Sequence, residues 1–479
     1  MANGIYINGQ WLSHGTRVPN VNPSDLTDVI NEYNWGNADD VVAAAAAARV
    51  AQPAWEAVLP EARARLLRRV GDELLSRADE LGRLMAREQG KTIREGKGEV
   101  IRSGETFHFF AGETVRNHGI FTPGLREGFN VSVSKEPVGV IAVITPWNLP
   151  MSIPSWKIAP ALAYGNSVIY KPSELTPECA WALADILARA GVPDGVFNMV
   201  MGNGRELGQA LIDQTDAVTF TGSGPTGEVI VRAAAAQMKK VQAELGGKSG
   251  LVIDRDCNME LAVEVAFQGA FHGTGQRCTA SSRIIVLDSV REEFLGRLVR
   301  RMNASRVGHA LDTDTEIGPV IDERQLSKDL GYIDIALGEG AELLAGGRRL
   351  DRPQSGFYLE PALFVNTRND MRINQEEVFG PVAGVIGVHD LQEAISVAND
   401  VHYALSSGIV TNNLIAAENF RRRSKAAMVT INAPTAGLDF HVPFGGRSPS
   451  GYGAREQGVA AQEFFTEYKS TYINVSGHL

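Results

Sequence analysis

The strongest constraint on what this chain can fold into is a succession of short apolar segments with no polar face. Residues 138–144 read VGVIAVI, without one polar side chain. A strand of that kind must be covered on both sides, as in a parallel sheet with helices packed above and below. The segments after it alternate in type. Strands are expected at Ser167–Tyr170, Val196–Val200, Ala217–Phe220 and Lys240–Glu244, and helices at Thr176–Ala190, Arg205–Ile212 and Gly227–Gln237. This alternation predicts a doubly wound α/β sheet with right-handed crossovers.

The pattern restarts after Gly246 and Gly247. Strands are expected at Gly250–Ile253, Ser282–Val286, Ala383–Ile386 and Ala426–Ile431, with helices at Glu260–Phe271, Glu292–Met302, Glu323–Gly338 and Leu391–Asn399. A second α/β unit of comparable size follows, and 479 residues are enough for two or three domains. Ahead of both, Ile5–Ile7 and Gln10–Leu12 flank Asn8-Gly9, a type I′ hairpin signal. From Asn37 to Glu113 the apolar residues take helical spacing. Asn130–Ser134 and the tail Thr466–Asn474 alternate polar and apolar residues. An exposed strand edge needs a partner, so the tail is expected to pair with the 130–134 strand, in this chain or in another subunit.

Composition excludes several functions. A net charge of −10 argues against a nucleic-acid surface. Three cysteines form neither a disulfide framework nor a zinc pair, and the nine histidines do not cluster as metal ligands. No charged leader followed by an apolar stretch opens the chain, and no apolar run reaches membrane-spanning length. A soluble, cytoplasmic protein without metal is expected.

Five stretches carry chemistry. Cys278 lies in GQRCTASS, among small neighbours that allow close approach to a ligand. It reads as a nucleophile or as a structural cysteine. GSGPTG at 222–227 follows a strand and opens a helix, which suits a phosphate at the helix N-terminus, or simply tight packing. Glu244, about twenty residues on, either holds a ribose or acts as a base at a strand end beside LGGK. Asn148, between Pro146 and Pro150, either donates to an oxyanion or satisfies its own turn. Lys171 and Glu174 in KPSE either grip ribose and phosphate or mark a helix start.

Together these stretches resemble the aldehyde dehydrogenase superfamily. The motifs PWN at 146–148, KPSE at 171–174, FTGS at 220–223, ELGGK at 244–248, GQRC at 275–278, EVFGP at 377–381 and PFGG at 443–446 stand in that family's order over nearly the whole chain. The resemblance implies a cofactor domain of residues 1–119 and 139–247, a catalytic domain of residues 248–460, and a small bridging β element of residues 120–138 and 461–479 that builds homodimers or homotetramers. It implies that Cys278 attacks an aldehyde, that Asn148 steadies the oxyanion, that Glu244 activates water, and that Lys157 helps to relay protons. On the cofactor side it implies Ser223 at the pyrophosphate, Lys171 and Glu174 at the adenosine ribose, and Glu377 with Phe379 beside the nicotinamide ribose. Trp147 would line the cofactor cleft, and Gly204 and Gly208 would lie by the adenine. Ile144, Thr145, Ser173, Phe220, Gly222 and Leu245 complete the set. Glu174 repels a 2′-phosphate, so NAD is expected over NADP.

Three segments, 153–165, 276–283 and 434–443, are similar to dehydrogenases of 2-oxoglutarate semialdehyde (2,5-dioxopentanoate). That substrate is anionic, and Arg277 is expected to read its carboxylate, with His441 as a second candidate. Two arginines used by succinate semialdehyde dehydrogenases match Trp156 and His272 here. Trp156, Leu149 and Phe444 would line a partly apolar tunnel, so aromatic or aliphatic aldehydes of the benzaldehyde or vanillin type are the alternative. A CoA-acylating enzyme would not need Glu244. A non-catalytic descendant of the fold would not need Cys278, Glu244 and Asn148 together.

Overall fold

In the computed structural model, which describes residues 4–437 and 439–476, the apolar strand expected at 138–144 spans Val140–Ile144 and lies inside an eight-stranded sheet. From edge to edge that sheet runs Gly451–Tyr452, Lys240–Glu244, Ala217–Thr221, Val140–Ile144, Ser167–Lys171, Phe197–Val200, Ile5–Ile7 and Gln10–Leu12. The five central strands are parallel. Their order reverses at Val140–Ile144, and the crevice outside the carboxyl ends at such a switch point is where these sheets bind ligands.

The second sheet runs Glu342–Ala345, Ala362–Val365, Val382–Val388, Arg283–Leu287, Gly250–Ile253, Ser406–Val410 and Met428–Ile431, all parallel except the first. Glu244 ends a strand of the first sheet and Gly250 opens a strand of the second. The carboxyl edge of one sheet therefore faces the amino edge of the other across a short link. Arg283 fastens that amino edge. Its buried guanidinium donates to the carbonyls of Lys248, Val397 and Ala398 and to Asn369 Oδ1 at 2.9–3.1 Å.

The N-terminal hairpin is present, with Asn8 and Gly9 both at positive φ, and its first strand also pairs with Phe197–Val200. A further hairpin, Thr16–Val21 with Val29–Trp35, follows it. The helical stretch resolves into four helices, Ala38–Glu56, Pro60–Ser76, Ala78–Gln89 and Ile93–Glu113. The last is capped by Thr92 and Glu95 in a reciprocal box. One helix, Ser152–Ala163, has no period in the sequence to betray it. Every residue in it is buried, and it contains Pro154 and Pro160.

The tail strand Thr466–Asn474 pairs with Phe129–Pro137 of the same chain, antiparallel, from Thr466 opposite Pro137 to Asn474 opposite Phe129. With Ile120–Pro123 these strands make a separate three-stranded sheet. Residues 451–465, expected partly in the second unit, return to the first. Gly451–Tyr452 pairs with Lys240–Glu244, and Phe464 and Phe465 pack into the core beneath the first sheet. Among the described residues no helix is long and apolar enough to cross a membrane, and no cluster of side chains suits a metal.

Replacing Arg283 by Met would strand several buried acceptors, a loss of about 3 kcal/mol. The urea midpoint should fall clearly below that of the unmodified protein; an unchanged midpoint would contradict a fastening role.

Candidate active site

A cleft of about 280 Å³ opens between the two sheet edges, lined by Asn148, Leu149, Trp156, Glu244, Cys278 and Phe444 among others. Cys278 enters it from a short turn. Gly273 and Thr274 are left-handed, and Gly275, at φ +66°, packs its Cα against the backbone of Gly380, where a side chain would overlap. The Cys278 carbonyl fills the space a side chain on Gly247 would need. The thiol sits at a partly open surface yet is walled closely by protein. Burial pushes its pKa up to about 12, and Glu377, Glu244 and Glu456 push in the same direction. Proton loss from the sulfur is therefore unfavourable at neutral pH.

Asn148 is buried where the strand Val140–Ile144 runs out. Its Nδ2 donates to the Gln276 carbonyl at 3.2 Å, two residues from Cys278, and its own carbonyl accepts from Lys91 Nζ at 2.9 Å. Asn148 Oδ1 is buried without a partner. Glu244 Oε2 accepts from the Gly446 amide at 2.9 Å, while Oε1 has none. Side chains on Gly445 or Gly451 would crowd this carboxylate. Burial and the nearby charge of Glu456 raise the Glu244 pKa well above the ordinary carboxylate value, against smaller opposing effects of the Gly446 amide, Lys157 and Arg455.

Behind Glu244 runs a buried polar chain. Lys157 Nζ bonds Glu456 Oε1 and donates to Thr219 Oγ1 at 2.7 Å, and Thr219 donates to Gln242 Oε1 at 2.9 Å. Trp156 Nε1 donates to the other Glu456 oxygen at 2.6 Å, and its ring lies against Phe444 with centroids 5.5 Å apart.

The groups expected at a dinucleotide gather along the same carboxyl edge. Lys171 Nζ meets Glu174 Oε1 at 2.9 Å, and that oxygen also accepts the Gly204 amide at 2.8 Å. Burial alone would raise the Glu174 carboxyl; Lys171 outweighs it and holds the pKa below the usual value. Ser173 Oγ accepts from the Leu175 amide at 3.3 Å. Ser223 stands just before the helix Gly224–Ala236, its hydroxyl donating to Thr226 Oγ1 at 3.0 Å, and space beside Gly208 and Gly224 is open. The Phe220 ring lies under Gly222, and Leu245 packs on Gly227. Thr145 follows Ile144 at the strand end and donates to Tyr170 Oη at 3.4 Å. Trp147 and Phe379 meet edge to face at 5.4 Å. Glu377 Oε1 accepts the Gly247 amide at 2.8 Å, and burial raises its pKa.

Two expected substrate residues sit differently from the reading of the sequence. Arg277 lines the cleft, but its guanidinium is paired with Glu95 at 2.8 Å, so its charge is already neutralised. His441 is exposed and lies outside the cleft lining. Conversely, Lys91, Glu99, Arg102 and Gln457 line the cleft, and Glu456 anchors Lys157 and Trp156, without having been singled out. Gln457 is buried at φ +60°, a backbone conformation that costs a non-glycine residue about 1–3 kcal/mol and tends to persist at functional sites. Nothing in a string of residues marks such strain.

Comparison with known proteins places this geometry. Residues 11–471 match the Aldehyde dehydrogenase family, and the chain belongs to that family of oxidoreductases. It is 40% identical to the alpha-ketoglutaric semialdehyde dehydrogenase of Bacillus subtilis, over 98% of this chain and 97% of that protein. It is 38% identical to the 2,5-dioxopentanoate dehydrogenase of Saccharolobus solfataricus, over 97% of this chain and 98% of that one. The fold superposes on the betaine aldehyde dehydrogenase of Staphylococcus aureus in complex with NAD+ with a TM-score of 0.96, at 35% identity, covering 99% of this chain and 95% of that one.

With the thiol pKa at about 12, carbamidomethylation of Cys278 by iodoacetamide in the absence of cofactor should climb roughly tenfold per pH unit from pH 7 to 10 without levelling. Glu377→Gln, which removes one of the raising charges, should speed the reaction severalfold at pH 8. A plateau near pH 8 in the unmodified protein would contradict the assigned environment.

Proposed function

We propose that the chain oxidises 2-oxoglutarate semialdehyde to 2-oxoglutarate with NAD, and that Cys278, Asn148 and Glu244 carry the chemistry. The convergence of those three side chains on one cleft between the two sheet edges carries the reading. The names borne by the Bacillus and Saccharolobus relatives support the substrate, and the NAD+ complex of the Staphylococcus enzyme supports the cofactor.

The Cys278 thiol gives up its proton to solvent in the cleft as Sγ adds to the aldehyde carbon, forming the oxyanion of a thiohemiacetal. The Asn148 amide and the Cys278 backbone N–H donate to the new oxyanion; one such donor is worth about 3–4 kcal/mol of transition-state stabilisation. Lys171, Glu174, Ser223 and the helix start at Gly224 would hold the adenosine and pyrophosphate half of NAD, and Glu377, Phe379 and Trp147 the nicotinamide half. Bound NAD supplies the hydride acceptor that leaves Cys278 as a thioester. Glu244 then takes a proton from the water that attacks the thioester. A raised pKa makes it a stronger base near neutral pH than an ordinary carboxylate. A relay role for Lys157, bonded to Glu456 and Thr219 behind Glu244, belongs to the same proposal.

Glu244 also weighs against CoA-acylating chemistry, which needs no hydrolytic base. Oligomers built through the three-stranded sheet and its exposed Phe121, Tyr468 and Tyr472 belong to the same proposal.

Cys278→Ala should abolish NADH formation while leaving NAD binding by fluorescence titration intact. Glu244→Gln should keep a stoichiometric NADH burst and slow steady turnover by about 100-fold or more. A missing burst would show that Glu244 acts before hydride transfer. Because the carboxyl is a base only when ionised, deacylation should accelerate as pH rises through its raised pKa and fail below it; a pH-independent steady rate would overturn the assignment.

A further inference from the structure

The helix Ile93–Glu113 forms one wall of the cleft with Glu95, Gly98, Glu99 and Arg102. These positions, spaced i, i+3, i+4 and i+7, share one helix face. Three of the four are accounted for. Glu95 is paired with Arg277 at 2.8 Å and reaches back to the Thr92 amide at 3.0 Å. Glu99 is paired with Lys91, and its Oε1 accepts the amides of Met151 and Ser152 at 3.0 and 3.1 Å. Gly98 leaves open space, with nothing within 4 Å of where a Cβ would stand. Arg102 differs from its neighbours. It is half-buried, it lines the cleft, and among the described residues its guanidinium has neither an ion-pair partner nor a hydrogen-bond acceptor.

The charges around the cleft sharpen this. Lys91 cancels Glu99 and Arg277 cancels Glu95, while burial favours the neutral form of Glu244. Of the charged side chains that line the cleft, Arg102 is the one left without a partner among the described residues. A guanidinium presents a planar fork of donors matched to a carboxylate, and leaving such a group unpaired in a partly desolvated cleft is unfavourable unless a ligand completes it. In the same cleft Leu149, Ile153, Trp156 and Phe444 offer apolar contact for a short carbon chain.

We propose that Arg102 is the specificity-determining residue that binds the far carboxylate of an acidic aldehyde, while Arg277 serves to neutralise Glu95. The proposal rests on the aldehyde-oxidising reading of the cleft given above and adds the residue that reads the substrate's charge.

The test compares kcat/KM for 2-oxoglutarate semialdehyde and for pentanal, a neutral aldehyde of the same carbon number, at saturating NAD in the full-length protein. The unmodified enzyme should favour the acid. Arg102→Leu should lower kcat/KM for the acid by roughly 10- to 100-fold, chiefly through KM, and leave pentanal within about twofold. Arg102→Lys should recover part of the loss, which a merely structural arginine would not show with this substrate selectivity. An equal loss on both aldehydes, or none on either, overturns the role of Arg102 while leaving aldehyde oxidation standing. An unmodified enzyme with no preference for the acid overturns the anionic substrate itself, and the role of Arg102 with it. Absence of NADH formation from either aldehyde overturns the underlying reading.

Discussion

The site depends on one buried ion pair. Lys157 is fully buried in the middle of a helix that contains no other charge, and among the described residues Glu456 and Thr219 alone keep its ammonium from being stranded. Breaking a pair of this kind by removing one partner costs about 3–5 kcal/mol, because the survivor stays buried. The pair ties together three remote pieces of chain: the helix Ser152–Ala163, the strand Ala217–Thr221 and the segment after Gly453. Glu456 also takes the Trp156 indole, fixing the ring that walls the cleft, and its charge helps to hold Glu244 toward the protonated form. Packing, cleft shape and acid–base behaviour thus share one support.

The electrostatics of the cleft follow a single sign. Glu244, Glu377 and Glu456 all disfavour charge on Cys278, and dense packing adds to them. A sulfur kept as the neutral thiol is protected from adventitious alkylation and oxidation, which proceed through the thiolate. The same arrangement would reward any bound group that brings positive charge or displaces these carboxylates.

Much of this was legible in the sequence where period and burial coincide. The strands Val140–Ile144, Lys240–Glu244 and Gly250–Ile253 have one or no polar face; Pro146 and Pro150 follow the first and Gly246-Gly247 the second, so both the sheets and the loops at those two ends could be read. Motifs at strand ends drew Asn148 and Glu244 out of the sequence for the same reason, and Cys278 stood out by its small neighbours in a turn. The helix Ser152–Ala163 was not legible, because a helix buried on every side has no amphipathic period and two prolines argue against it. The sequence shows an arginine next to the cysteine but not the glutamate, 182 positions away, that pairs with it. Arg102 was missed because only the folded helix reveals that its neighbours on the same face are already paired.

The return of residues 444–465 to the first sheet has a consequence for biosynthesis. Phe444, Glu456 and Gln457, along with the Gly446 amide that holds Glu244, leave the ribosome long after the parallel strands of the first sheet, Glu456 following Lys157 by 299 positions. The first sheet can assemble long before them, since domains tend to fold in order of synthesis. Until they emerge, Lys157 has no counter-ion and the cleft lacks a wall. A nascent chain that already displays the nucleophile therefore does so in an unfinished pocket, and the timing of chemical competence is set by the arrival of residues 444–457 rather than by the appearance of Cys278.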